Sequence, residues 1–215
     1  MAELSRDLMA PPGTLASAPP RREAGTRSRA GNAMARTRSG LLAGALRAVA
    51  AHGTRRTTMG DIATHAGLAK ATLYNHFRTK EDVWVALVAV EVAQLAEECA
   101  GLPLVEALAH AANRIGTHPA VRTVAREEPA VLARMFPGES PSGSWQVARE
   151  LLAHGLRASG EVGSGDPESA ARLATAGEIV LRWLASYLVR PGDPHTIRLA
   201  AERLGRLLPG PPRSA

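Results

Sequence analysis

The chain has 215 residues, 45% hydrophobic and 21% charged, which is enough for a small head and one core domain. Its single cysteine, Cys99, excludes a disulfide framework within the chain. The most apolar stretch, Val83 to Ala96, is interrupted by Glu91 and Gln94 and is too short to span a bilayer, so no membrane partner is expected.

Residues 1–33 carry Pro11-Pro12-Gly13, Pro19-Pro20 and an Arg/Ser/Gly run, with no periodic apolar face. They read as a disordered basic extension without the apolar core of a secretory signal. Two readings of this region stand side by side. Arg27, Arg29, Arg36 and Arg38 form an arm that reaches a minor groove, or Met34 is the natural start; the residues do not choose.

From residue 34 the pattern becomes helical. Leu41, Leu42, Ala45, Leu46 and Val49 give a first helix its buried face, and Gly53 ends it. Thr57 to Lys80 then reads as two short helices joined by a tight turn. Ile62, Ala63 and Ala66 face inward, and Gly67 supplies the turn, where positive φ is cheap. Leu73 and Phe77 mark the inner face of the second helix. Lys70, Thr72, Tyr74, Asn75 and His76 are left outward or on the rim, all able to donate hydrogen bonds. Thr58 with Asp61, and Thr79 with Asp82, have capping-box spacing. Gly60, near the start of the first motif helix, costs it up to about 1 kcal/mol. On spacing alone, an ordinary αα-hairpin remains the rival reading of this head, residues 34–80.

Residues 81–208 read as all helix, followed by a disordered tail, 209–215. A long helix runs from Thr79 to Ala100, about 33 Å. Further helices cover Leu104 to Ile115, two short segments opened by Pro119 and Pro129, Trp145 to Ala158, Asp166 to Val189, and Asp193 to Leu208. The last two start with Asp-Pro, a cap followed by proline at the first helical position. Leu173, Gly177, Val180, Leu181, Leu184 and Leu188, with Leu204 on the last helix, recur at 3–4 spacing. Such stripes are more often intramolecular core than interface.

Catalytic signatures are missing, and neither a metal nor a cofactor is expected. The seven histidines form no HxxxH or HExxH pair. Glu97-Glu98 and Glu127-Glu128 read as solvated surface, and Val162-Gly163-Ser164-Gly165 reads as a linker. Cys99 reads as a small buried hydrophobe.

Charge is unevenly divided. Residues 1–80 hold 13 Arg or Lys against 4 Asp or Glu, a net of +9, and the remainder carries −3. A basic head on a mildly acidic body suits a phosphate-bearing partner. The chain has 24 Arg and only 2 Lys, and both lysines, Lys70 and Lys80, fall in the motif. Lys80 reads as a phosphate clamp and Lys70 as a phosphate or base contact.

The segment Ser39 to Leu87 resembles the DNA-binding domain of the tetracycline-repressor (TetR) family. The matching residues are Thr57-Thr58, Ile62-Ala63, Ala66-Gly67-Leu68, Thr72-Leu73-Tyr74, His76-Phe77 and Lys80-Glu81. The resemblance implies an all-α cytoplasmic protein: a three-helix DNA-binding head with a helix-turn-helix, and a helical body for effector binding and dimerisation. It implies a homodimer on a palindromic double-stranded operator, paired through the last two long helices, with Leu173, Gly177, Val180, Leu181, Leu184, Leu188 and Leu204 as interface residues. Thr58, Tyr74 and Lys80 then position phosphates, Lys70, Thr72, Asn75 and His76 address base edges, and Arg36 and Arg38 belong to the basic arm. It also implies an effector pocket for an unidentified small molecule, for which Met135, Phe136, Trp145 and Trp183 are the large side chains at hand, although each fits plain core packing equally well. A ligand-responsive repressor is the expected function. A helix-turn-helix regulator without a small-molecule effector, or a helical enzyme or adaptor, are the alternatives.

Overall fold

The computed structural model describes residues 24–133, 143–158 and 167–207. Among these it is all helix: α1 (Ala24–Arg56), α2 (Met59–Ala66), α3 (Lys70–His76), α4 (Lys80–Cys99), α5 (Leu104–Thr117), α6 (Pro119–Glu127), α7 (Pro129–Ala133), α8 (Gly143–Ala158), α9 (Pro167–Val189) and α10 (Pro194–Leu207). Residues 1–36 form one compact unit and residues 37–215 another. Of the first unit, the described part is the opening of α1. That helix starts at Ala24, nine residues before the expected end of the extension at residue 33.

The head is built on ten buried apolar residues. Leu41, Leu42, Ala45 and Ala48 of α1 meet Ile62 and Ala63 of α2, Leu73 of α3, Phe77, and Val83 and Leu87 of α4. The i, i+3, i+4 spacing on each helix points these side chains to one centre. Gly44 lets α1 and α2 approach closely: a Cβ there would stand 2.6 Å from the Cβ and the backbone nitrogen of Ala66. Gly53 sits at φ +74 and breaks α1 three residues before its end, as its place in the sequence predicts.

Local signals set the helix ends. His118 caps α6, its Nδ1 accepting the Val121 N–H at 3.4 Å, with Pro119 at the first helical position. Asp193 Oδ1 accepts the N–H groups of His195 and Thr196 at 3.0 and 3.1 Å and so caps α10. The matching Asp166 cap expected for α9 lies outside the described residues.

The body's core draws on α5, α8, α9 and α10, with Leu95 and Cys99 of α4 packed against it. Here one expectation is corrected. Leu173, Val180 and Leu184 of α9 and Leu204 of α10 are buried in this core, beside Leu108, Leu156 and Ile197. Leu181 is buried with Trp145 and Ala185, Leu188 is packed against that group, and Gly177 is buried as well. The stripe assigned to the dimer interface is therefore intramolecular core. The reason is that α9 lies between α5 and α8, which take up its apolar side.

Cys99 is half-buried, its Sγ 3.5 Å from the Ala107 carbonyl, and burial pushes the thiol pKa up. Among the described residues, no helix is long and apolar enough to cross a membrane.

Candidate nucleic-acid interface

Helices α2 and α3 and the turn between them form the candidate site. Thr58 opens α2 with a complete capping box: the Asp61 N–H donates to Thr58 Oγ1 at 3.2 Å, and the Thr58 N–H donates to Asp61 Oδ2 at 2.9 Å. The Thr58 hydroxyl also donates to Asp61 Oδ2 at 2.8 Å. At the other end Gly67 adopts the left-handed conformation, φ 66 and ψ 29, and its N–H reaches the Thr64 carbonyl at 3.0 Å. The Leu68 N–H returns to Ala63 at 3.0 Å, which turns the chain into α3. Thr79 repeats the capping box with Asp82 at the start of α4, at 2.9 and 3.1 Å. These bonds to Thr58 and to Thr79 hold the Asp61 and Asp82 carboxyls below the usual aspartate range.

Leu73 anchors α3 inward, with no exposed surface, and Phe77 follows it into the core. The helical turn then dictates which residues remain outside. Lys70, Tyr74 and Asn75 are exposed on one face, with Tyr74 at 47%. Thr72 and His76 flank that face, half-buried. Lys70 Nζ lies 5.9 Å from the centre of the Tyr74 ring, so the ammonium and the ring stand together on the exposed surface. Arg38 lays its guanidinium over the Phe77 ring at 4.9 Å. Arg36, in the unit of residues 1–36, is exposed and donates to the Asn32 carbonyl at 3.3 Å.

Lys80, expected as a phosphate clamp, has partners within the head. It is half-buried, and its ammonium donates to the carbonyls of Thr54 and Arg55 at 3.2 and 3.4 Å. It therefore brackets the turn between α1 and α2, where the chain has carbonyls left over after the break at Gly53. Arg47 does similar work at α2, donating to the His65 carbonyl at 2.5 Å in the helix's last turn. The exposed cations at this end of the head include Arg55 and Arg78, which the motif pattern did not single out.

The same turn is held from the body. Glu128, expected on the surface, is buried at 7% exposure. Its carboxylate accepts the Arg55 N–H at 2.9 Å and the Thr54 hydroxyl. Gly53 leaves it room, since a Cβ there would stand 2.5 Å from Glu128 Oε1. Glu127 forms ion pairs with Arg126 and Arg56, which hold its carboxyl below the usual range. The Thr123 hydroxyl donates to the Ala50 carbonyl at 2.8 Å, and Val49 packs with Ala120, Val124 and Leu132. Helices α6 and α7 thus grip the end of α1. Adjacent glutamates in a helical stretch gave no sign of this, because only the docking of α6 on α1 buries one of them.

Of the four expected effector residues, Trp145 and Trp183 are described, and they pack in different clusters. Trp183 is half-buried against the body core, edge-on to Tyr187 with ring centres 5.2 Å apart. Trp145 is buried, donates from Nε1 to Glu178 at 3.3 Å, and lines an open groove of about 610 Å³ between α8 and α9. Met135 and Phe136 lie outside the described residues. Among the described residues, no group of three or more His, Cys, Asp or Glu is placed to hold a metal. His110 and His118 instead meet Glu98 and Glu91, at 2.8 and 3.3 Å.

Residues 41–87 match the family model for bacterial regulatory proteins of the tetR family. No curated protein matches the chain. Among solved structures, the TetR-family repressor AlkX from a Dietzia species, implicated in n-alkane biodegradation, is 21% identical, with a TM-score of 0.59 over 79% of this chain and 96% of that one. The fatty acid degradation regulator FadR from Bacillus halodurans is 19% identical, with a TM-score of 0.53 over 83% and 97%. A TetR-family regulator from Mesorhizobium loti is 17% identical, with a TM-score of 0.52 over 81% and 96%. At these identities the likeness is one of fold.

Proposed function

We propose that this chain, whose residues 41–87 match the family model for bacterial regulatory proteins of the tetR family, is a repressor of that family which binds a palindromic operator as a homodimer and is released by a small molecule. The observation that carries the DNA-binding part is the outer face of α3. Lys70, Tyr74 and Asn75 project together from a helix whose opposite side is anchored by Leu73 and Phe77. A helix held this way can enter a major groove, where Asn75 and Lys70 have the donors to read base edges. Tyr74, Arg55 and Arg78 supply phosphate contacts that fix the register. Thr72 and His76 on the rim reach only the margins of the groove.

A two-fold dimer presents two such helices to two half-sites, one helical turn or a multiple of it apart. Release by an effector is supported by the grip of α6 and α7 on the end of α1. A ligand that favours one position of α6 also favours one position of the head, through Glu128, Thr123 and Val49. The two structural relatives named for alkane and fatty acid breakdown make apolar chains a sensible first panel.

Selection from random duplex DNA at near-physiological salt tests the reading. An enriched palindrome is expected. Binding without enrichment that disappears as salt rises would leave only a basic surface. Release of the selected duplex by members of the panel then separates a ligand-responsive repressor from a regulator without an effector.

A further inference from the structure

A row of alternating charges joins three helices of the body. His118, at the start of α6, is buried at 8% exposure. Its Nε2 faces Glu91 of α4 at 3.3 Å. Arg114 of α5 reaches the same glutamate oxygen at 3.3 Å and turns its Nε toward Glu98 of α4 at 3.6 Å. His110 of α5 closes the row on Glu98 at 2.8 Å. The bond from His118, helped by Arg114, holds the Glu91 carboxyl below the usual glutamate range despite its partial burial, so it stays an ionised acceptor.

The two ring nitrogens of His118 serve different helices. Nδ1 accepts the Val121 N–H at 3.4 Å and caps α6. A backbone N–H can only donate, so Nδ1 carries no proton, and the proton of the neutral ring lies on Nε2, toward Glu91. A second proton has one place to go, which is Nδ1. There it sets two donors against each other and adds positive charge at the positive end of α6. The bond to Glu91 becomes an ion pair in the same step. Protonation therefore strengthens the contact with α4 and abolishes the one within α6.

Among the described residues, the charged groups that meet His118 and Glu91 are each other and Arg114. Arg122, one turn into α6, is occupied by the carbonyls of Tyr187 and Leu188 on α9, at 2.8 and 2.7 Å. His110, also titratable, is exposed and pairs with Glu98 rather than with the cap. From the capped turn, α6 leads to the head. Thr123 donates to the Ala50 carbonyl of α1 at 2.8 Å, and Glu128, just past α6, holds the turn after α1.

We propose that His118 is a proton-operated switch between α6 and α4. Neutral, it caps α6 and ties it to α4. Protonated, it keeps Glu91 and releases the Val121 N–H, so α6 frays at its start and its hold on α1 slackens. A loosely held head must be ordered on binding, so acid should weaken operator affinity through this residue. That last consequence rests on the repressor reading above; the change in α6 does not.

NMR of the full-length protein tests it. The His118 ring is titrated between about pH 7.5 and about pH 5.5, where an imidazole ordinarily changes charge. Hydrogen exchange is followed at the Val121 amide and corrected for its intrinsic pH dependence. Protection at Val121 should fall about fivefold or more as the ring charges. His118→Asn keeps an acceptor for the cap and a donor for Glu91 but cannot titrate, so its Val121 protection should stay within about twofold over that range. A ring that stays neutral throughout, or one that charges without loss of protection, overturns the switch, and neither result depends on the variant folding. Affinity for the selected duplex is then compared at the two ends of the titration. The ratio of wild-type to variant Kd should rise about threefold or more toward acid. A constant ratio overturns the link from α6 to the head. If neither protein binds any duplex, the repressor reading falls, and the switch within α6 is decided by exchange alone.

Discussion

The head and the body of this protein are held by different kinds of information. In the head, three helix ends are fixed by bonds between residues three apart: Thr58 with Asp61, Gly67 with Thr64, Thr79 with Asp82. The functional face is what remains once Leu73 and Phe77 have turned inward. In the body, the core joins residues such as Leu108, Leu156, Val180 and Ile197, which are far apart in sequence and carry no motif. A short-range code therefore builds the surface proposed to read DNA, and a long-range packing code builds the part proposed to control it. The two codes meet where α6 and α7 grip the end of α1, with Glu128 of the body bonding the turn after Gly53 in the head.

That contrast can be broken from either side. The largest effect is expected in the body. Leu184→Ala leaves a cavity in the core and should cost about 2–5 kcal/mol in urea unfolding. The loss should not vary with protein concentration, as it would if Leu184 lay at a subunit interface. Next comes the junction. Glu128→Ala deprives the Arg55 N–H and the Thr54 hydroxyl of a charged partner and should cost about 1.5–3 kcal/mol. Hydrogen exchange should place the loss at residues 50–58 and 120–130 rather than in α5 or α10.

Within the head, Gly44→Ala forces a Cβ against the Ala66 backbone and should cost about 1–3 kcal/mol. Operator binding should weaken in step with the lost protection of α2 and α3, while the body keeps its own.

Smaller still are the single phosphate contacts. Arg55→Ala or Arg78→Ala should weaken binding evenly across sequences and flatten the log–log salt dependence by about one unit. Lys80→Ala should lower stability with little change in that slope, because its ammonium serves the carbonyls of Thr54 and Arg55. A full unit of slope lost with Lys80 would restore it as a phosphate clamp.

The smallest effect is that of pH. The Asp61 and Asp82 carboxyls are held below their ordinary values by bonds to Thr58 and Thr79. Each therefore contributes stability that is present above the unfolded aspartate pKa, about 3.9, and lost as pH falls through the lower folded value. Helicity of the head should fall on acidification below about pH 4, and Asp61→Asn with Asp82→Asn should flatten that limb. An unchanged acid limb in the double variant would show that the capping boxes add nothing to it.

How much of this was legible beforehand differs from residue to residue. The helix-turn-helix, both capping boxes, the break at Gly53 and the Asp193 cap follow from residue types at fixed short spacings, and the structure has each of them. The outward set on α3 was legible for Lys70, Tyr74 and Asn75. Thr72 and His76 are half-buried at its rim. The leucine stripe of α9 was visible as a stripe, but a hydrophobic period states only that a face is buried, not by which partner.

What the sequence determined by itself is the helical alphabet and its punctuation, since capping, glycine turns and apolar periodicity act within one or two turns of helix. The tertiary structure alone decided three further matters: that Lys80 donates to the turn after α1, that Glu128 is buried rather than solvated, and that α9 turns its leucines into the core of its own chain. For Lys80 and Glu128 the deciding partner lies at least 25 residues away in the chain. Such a partner is selected by how the helices dock, and docking depends on the summed fit of many side chains rather than on any local pattern.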